Sequence, residues 1–190
     1  MRTSTTISAR SLERLDVGDA GHQTAIVALS GFTPKEDSMF GTDNEVGTLN
    51  SLIATTIDSI NGYRESADAV DSQRFRDLFN RLAEDRQQAL PLLQAEVARL
   101  GGNPEDDGTA LAAAHRGFVD LKAAIAGRDD KAVIDEVERG EDHIKHKYES
   151  ALQEKDLSSE TREVINRAFE SVRRGHDQVR DLKHALERAE

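Results

Sequence analysis

From about Thr48 to the C-terminus, apolar side chains recur every three or four positions; before Thr48 no period is sustained. The pattern predicts a first helix capped by Thr48 and running to about Ala69. Asp71 or Ser72 caps a second, which ends at Leu100 before the breaker GGNP, with Pro91 kinking it midway. Gly108 and Thr109 open a shorter helix that halts at Ala126 and Gly127. Asp129 or Asp130 caps another, ending near Gln153, and Leu157-Ser158-Ser159 starts the last, with Glu160 and Glu163 near its positive end. No stretch reads as a strand. Residues 1–47, rich in Ser, Thr, Gly and Asp, read as a flexible arm, and residues 48–190 as a helical bundle. The one apolar island of the arm, QTAIVALSGF at 23–32, could instead be a docking peptide.

Stepping 100° per residue gives each helix an inward stripe. The first carries Leu49, Leu52, Ile53, Thr56, Ile60, Tyr63 and Ala67, with Asp58, Asn61 and Glu65 opposite. The second carries Phe75, Leu78, Phe79, Leu82, Arg86, Ala89, Leu93 and Val97. The helix near 130–153 carries Val133, Val137, Ile144, Tyr148 and Ala151, and the last carries Ile165, Ala168, Phe169, Val172, His176, Val179 and Leu186. Glu141 falls on its helix's stripe, while Asp142, His143 and His146 turn away from it, as a solvated face. Arg86, Glu141 and His176 thus each sit among hydrophobes one turn above and below.

Pairing the helices as two hairpins brings these residues together. Arg86 lies about 15 residues from the first turn and Glu141 about 15 from the second, or ~22 Å at ~1.5 Å per residue. With the two turns at opposite ends, both reach mid-height, and Tyr63 and His176 lie about one turn away. The expected site is a buried polar layer of Tyr63, Arg86, Glu141 and His176, in which Arg86 neutralises Glu141.

Composition narrows the function classes. The chain of 190 residues has no Cys, so disulfides, thiolate metal sites and cysteine nucleophiles are absent. With 36 acidic against 25 basic side chains and a net charge of −11, it lacks a footprint for nucleic acid or an anionic membrane. No apolar run is long enough to span a bilayer, and no apolar segment follows Arg2 as in a secretory signal; the expectation is a cytoplasmic protein. No Ser–His–acid set, nucleophile elbow or phosphate loop is visible, and His115 reads as the edge of a core, so no catalytic residue is assigned.

The runs DSINGYRESA at 58–67, RLAEDRQQAL at 81–90, LGGNPEDDGT at 100–109, HRGFVDLK at 115–122 and ERGEDHIKHKYESAL at 138–152 carry a resemblance. They resemble an uncharacterised bacterial family of ferritin-like four-helix bundles, over roughly residues 48–185. The resemblance implies an all-α bundle of two hairpins joined by a short crossover helix, and an iron site between the helices. That site takes a Glu from each of two helices and a Glu-x-x-His from each of the others. Glu141 matches one carboxylate and His176 one histidine, but Arg173 stands where the paired Glu belongs. Arg86 holds a core position on the second helix, and the first offers Thr56 and Tyr63. The expectation is a protein without cofactor, its di-iron site replaced by the polar layer. It would act through a protein partner or self-association, in a role loosely tied to bacterial stress. The alternative is a degenerate iron protein using Glu141 and His176 with ligands from a partner subunit.

Overall fold

A computed structural model describes residues 36–106 and 129–189, with side chains from residue 41 onward. Among these, all regular structure is helical: α1 Glu36–Ala69, α2 Gln73–Gln87, α3 Leu90–Arg99, α4 Asp130–Leu152 and α5 Ser159–Glu187. α2 and α3 are one rod broken at Gln88 and Ala89. Pro91 is the cause, since it has no N–H for the Gln87 carbonyl; Gln88 and Ala89 close the break by bonding to Glu84 and Arg86 carbonyls.

The first helix departs from the expectation. It begins at Glu36, twelve residues before the start at Thr48 that the apolar period predicts. Gly41 and Gly47 disfavour helix here and hid it from a propensity reading. Tertiary contacts override them. Glu45, only 6% exposed, accepts hydrogen bonds from the Ser158 amide and hydroxyl at the start of α5, both at 2.9 Å. Residues 1–35 and the expected crossover helix at 109–126 lie outside the described residues.

Hydrogen bonds between remote loops fix the topology. The Asp130 carboxylate, at the start of α4, accepts the amides of Asp71 (2.8 Å) and Ser72 (3.1 Å) in the α1–α2 turn. At the other end, Thr48 donates to Glu154 at 2.7 Å in the α4–α5 turn. The two turns therefore stand at opposite ends, and the chain leaves α3 at one end and enters α4 at the other. α1 and α5 run one way, the α2–α3 rod and α4 the other. α1 packs on α2, α3 and α4, and α5 on α4, α3 and α2, giving a four-rod bundle.

Capping follows the residue types. Asp129 caps α4 by accepting from Ala132, Ser158 caps α5 by accepting from Thr161, and Ser72 precedes α2 without a side-chain cap bond. α3 ends in a Schellman turn, with Gly101 at φ +81° and the Gly102 amide on the Val97 carbonyl.

The predicted stripes form the core, except that Leu78 and Leu186 are only partly buried. That core is two clusters rather than one. The first runs from Leu49 to Ile57 on α1 and includes Leu93, Ile144, Tyr148 and Val172. The second includes Ile60, Tyr63, Phe79, Leu82, Val137 and Val179. On every rod the boundary between them falls at one height, and a polar group occupies that height.

Candidate functional site at the centre of the bundle

That group is built around Arg86, which is 1% exposed. Its Nη2 donates to both oxygens of Glu141, at 2.9 and 3.1 Å, and Nη1 donates to Ser59 Oγ at 3.0 Å. The guanidinium carbon lies 5.6 Å from the centre of the Tyr63 ring, a cation–π distance, and that ring stacks on Phe79 at 6.2 Å. Arg86 comes from the α2–α3 rod and Glu141 from α4, which are not the adjacent rods of the bundle. The ion pair therefore bridges the middle of the core.

α5 contributes no side chain here. A Cβ on Gly175 would lie 2.7 Å from Arg86 Nη2, 2.8 Å from Tyr63 Oη and 2.9 Å from Glu141 Oε2. The three polar groups converge on the space that any other residue would fill. Two buried polar atoms remain without a hydrogen-bond partner, Arg86 Nε and Tyr63 Oη.

Electrostatics favour a charged Arg86. Burial opposes the Arg86 charge, but Glu141 and then Tyr63 more than offset it, and the guanidinium pKa is raised above its ordinary value. Burial, reinforced by the Glu141 carboxylate, pushes the Tyr63 phenol well above its usual range, with Arg86 opposing. The Tyr63 ring faces the cation, and its hydroxyl lies beside both Arg86 and Glu141.

The structure brings Tyr63, Arg86 and Glu141 together. His176 does not join them. It is buried, yet its Nε2 faces Asp142 at 3.1 Å and its Nδ1 faces Asp177 at 3.3 Å, on the rim of the bundle. The one-residue offset from Gly175 turns the ring away from the centre. Thr56 forms its own contact lower down, with its Oγ1 2.6 Å from the Leu52 carbonyl and 2.8 Å from the Tyr148 hydroxyl. Two members of the central site escaped sequence reasoning. Ser59 lies one turn from both Thr56 and Tyr63, a spacing that could have revealed it; Gly175, a mid-helix glycine beside the stripe, left a weaker signal.

A second buried polar cluster lies at the far end of the bundle. Thr161 Oγ1 touches Glu45 and lies 2.9 Å from Glu96 Oε1, while Arg99 grips both oxygens of Glu96 at 2.7 and 2.8 Å. The Arg99 hydrogen bonds hold the Glu96 pKa below the usual carboxylate range, burial opposes this, and the Thr161 hydroxyl assists.

The residues 44–154, which hold Tyr63, Arg86 and Glu141, match the model of a protein family, the domain of unknown function DUF2383. The chain belongs to the DUF2383 family. No curated protein matches it. Among solved structures, this DUF2383 chain is similar to a dodecameric thioferritin, the bacterioferritin-related protein of Bacteroides fragilis. The identity is 13% and the TM-score 0.62, over 78% of this chain and 89% of that one. It is similar also to Dps from Thermosynechococcus elongatus, at 13% identity and TM-score 0.61, over 77% of this chain and 94% of that one. The likeness establishes a ferritin-like four-helix-bundle fold.

The iron centre that such a fold implies can be tested against the side chains of this DUF2383 chain. Glu141 is the sole carboxylate at the centre among the described residues, and a guanidinium holds both its oxygens. Arg173, three residues before His176, lays its guanidinium over the Phe169 ring at 5.1 Å. Among the described residues no three His, Cys, Asp or Glu are grouped to hold a metal ion. The central residues do not fit a di-iron centre.

Proposed function

We propose that this protein is a non-enzymatic member of the ferritin-like bundles, one that acts by binding through its surface. The observation that carries this reading is the grip of Arg86 Nη2 on both oxygens of Glu141, at 2.9 and 3.1 Å in the middle of the core. A fixed internal cation at that height repels a divalent ion through a low-dielectric medium and already uses the carboxylate that would ligate it. Catalysis would need a substrate path to reactive groups. Here the central groups are 1–2% exposed and packed against Gly175.

The binding itself is assigned to self-association or to a protein partner. The thioferritin of B. fragilis is dodecameric, which supports assembly of like chains, and no helix among the described residues is long and apolar enough to cross a membrane. A cytoplasmic setting and a part in bacterial stress physiology complete the proposal. Elemental analysis of protein purified without a histidine tag tests it, with less than one tightly bound iron per chain expected. Light scattering of the same sample tests assembly. A resident metal that resists chelation would instead favour a degenerate iron protein using Glu141 and His176 with a partner subunit's ligands.

A further inference from the structure

We propose that the centre of the bundle is a binding site for a compact organic monocation, a guanidinium or ammonium group, which the protein fills with its own Arg86. The proposal rests on the reading that the centre is not a metal site. Every group that holds the guanidinium head comes from a helix other than the one bearing Arg86. α4 supplies the carboxylate of Glu141 at 2.9 and 3.1 Å. α1 supplies the Ser59 hydroxyl at 3.0 Å and the Tyr63 ring face at 5.6 Å. α5 supplies room, because a Cβ on Gly175 would stand 2.7 Å from Nη2. Anion, hydroxyl, aromatic face and space are thus all in place without the arginine tether. The tether is also the one unsatisfied part of the cation, since Nε has no hydrogen-bond partner. The site is matched to the terminal fork, not to the link.

Charge selects the ligand class. One carboxylate balances one positive charge, and a buried divalent ion would keep an uncompensated charge, which is costly. A planar guanidinium can use both carboxylate oxygens and the ring face together.

The experiment is a thermal-melt titration of the full chain carrying Arg86→Ala with methylguanidinium chloride, well below denaturing concentrations, against sodium chloride at equal ionic strength. A rise in Tm that follows the logarithm of concentration above Kd is expected, and at ten times Kd the folded-to-unfolded ratio should increase about elevenfold. The rise should be absent from the wild type and from Arg86→Ala combined with Glu141→Gln. If Arg86→Ala does not fold alone, refolding yield with and without methylguanidinium is the readout, and recovery is expected. No rise and no recovery, or an equal rise in the wild type or the Glu141→Gln double variant, overturns the proposal. Ferrous iron added to wild type in parallel separates the two claims: iron uptake there refutes the non-metal reading, whereas the methylguanidinium result judges the cation site.

Discussion

Arg86 and Glu141 are each stable in the core only because of the other. Removing one strands a buried charge, at a cost of ~3–5 kcal/mol, whereas replacing both with apolar residues of similar volume can be neutral. Arg86→Met should therefore lower stability by more than Arg86→Met with Glu141→Leu, measured by urea denaturation; additive losses would contradict the pairing. Tyr63 makes a different prediction. Its hydroxyl is buried beside Glu141 and Arg86 without a well-formed hydrogen bond, so Tyr63→Phe should change stability at neutral pH little. Burial raises its folded-state pKa well above the ordinary value. A raised pKa means the neutral phenol's contribution is full below the unfolded pKa of about 10 and is lost as pH climbs above it. Tyr63→Phe should therefore resist alkaline unfolding better than wild type, followed by circular dichroism from neutral pH upward. Equal alkaline loss in both proteins would contradict the placement. At this scale Tyr63, Arg86 and Glu141 were legible in the sequence, because a polar residue on an apolar stripe betrays its direction. His176 was misplaced for a physical reason: helical phase gives a side chain's starting angle, and the carboxylates of Asp142 and Asp177 decided where the ring ended.

The helices themselves were legible wherever packing and propensity agree, and missed where they conflict. α4 and α5 begin at Asp129 and Ser158, residues whose side chains cap them. Residues 36–47 could not be read as helix, since two glycines and polar neighbours hide what a remote contact supplies. That contact is Glu45 on Ser158 and Thr161. Removing residues 1–47 should therefore destabilise the bundle more than removing residues 1–34, because only the longer deletion takes Glu45. Melting temperatures of the two truncations check this, and equal values would show that the start of α1 is dispensable. The same end of the bundle should respond to acid. The lowered Glu96 pKa contributes stability that is present above the ordinary carboxylate value, about 4.3, and is lost as pH falls through the folded-state value. Glu96→Gln should flatten the acid limb of Tm against pH. Residues 1–35 and the crossover helix expected at 109–126 fall outside the described residues, so their reading remains the sequence's alone.

At the scale of the bundle, the described residues form the two hairpins of a ferritin-like four-helix bundle, and a polar layer splits their core. The two-cluster core follows directly: Ile57 and Val172 pack below the layer, Ile60 and Val179 above it. On the proposed reading, a centre closed by its own ion pair leaves binding to the surface. The direct test is an anaerobic titration with ferrous iron followed by oxygen. The account predicts no saturating binding at the centre, no ferroxidase absorbance change, and loss of any loosely held ion on mild chelation. Two irons bound per chain, with an oxidation signal abolished by Glu141→Ala, would contradict it.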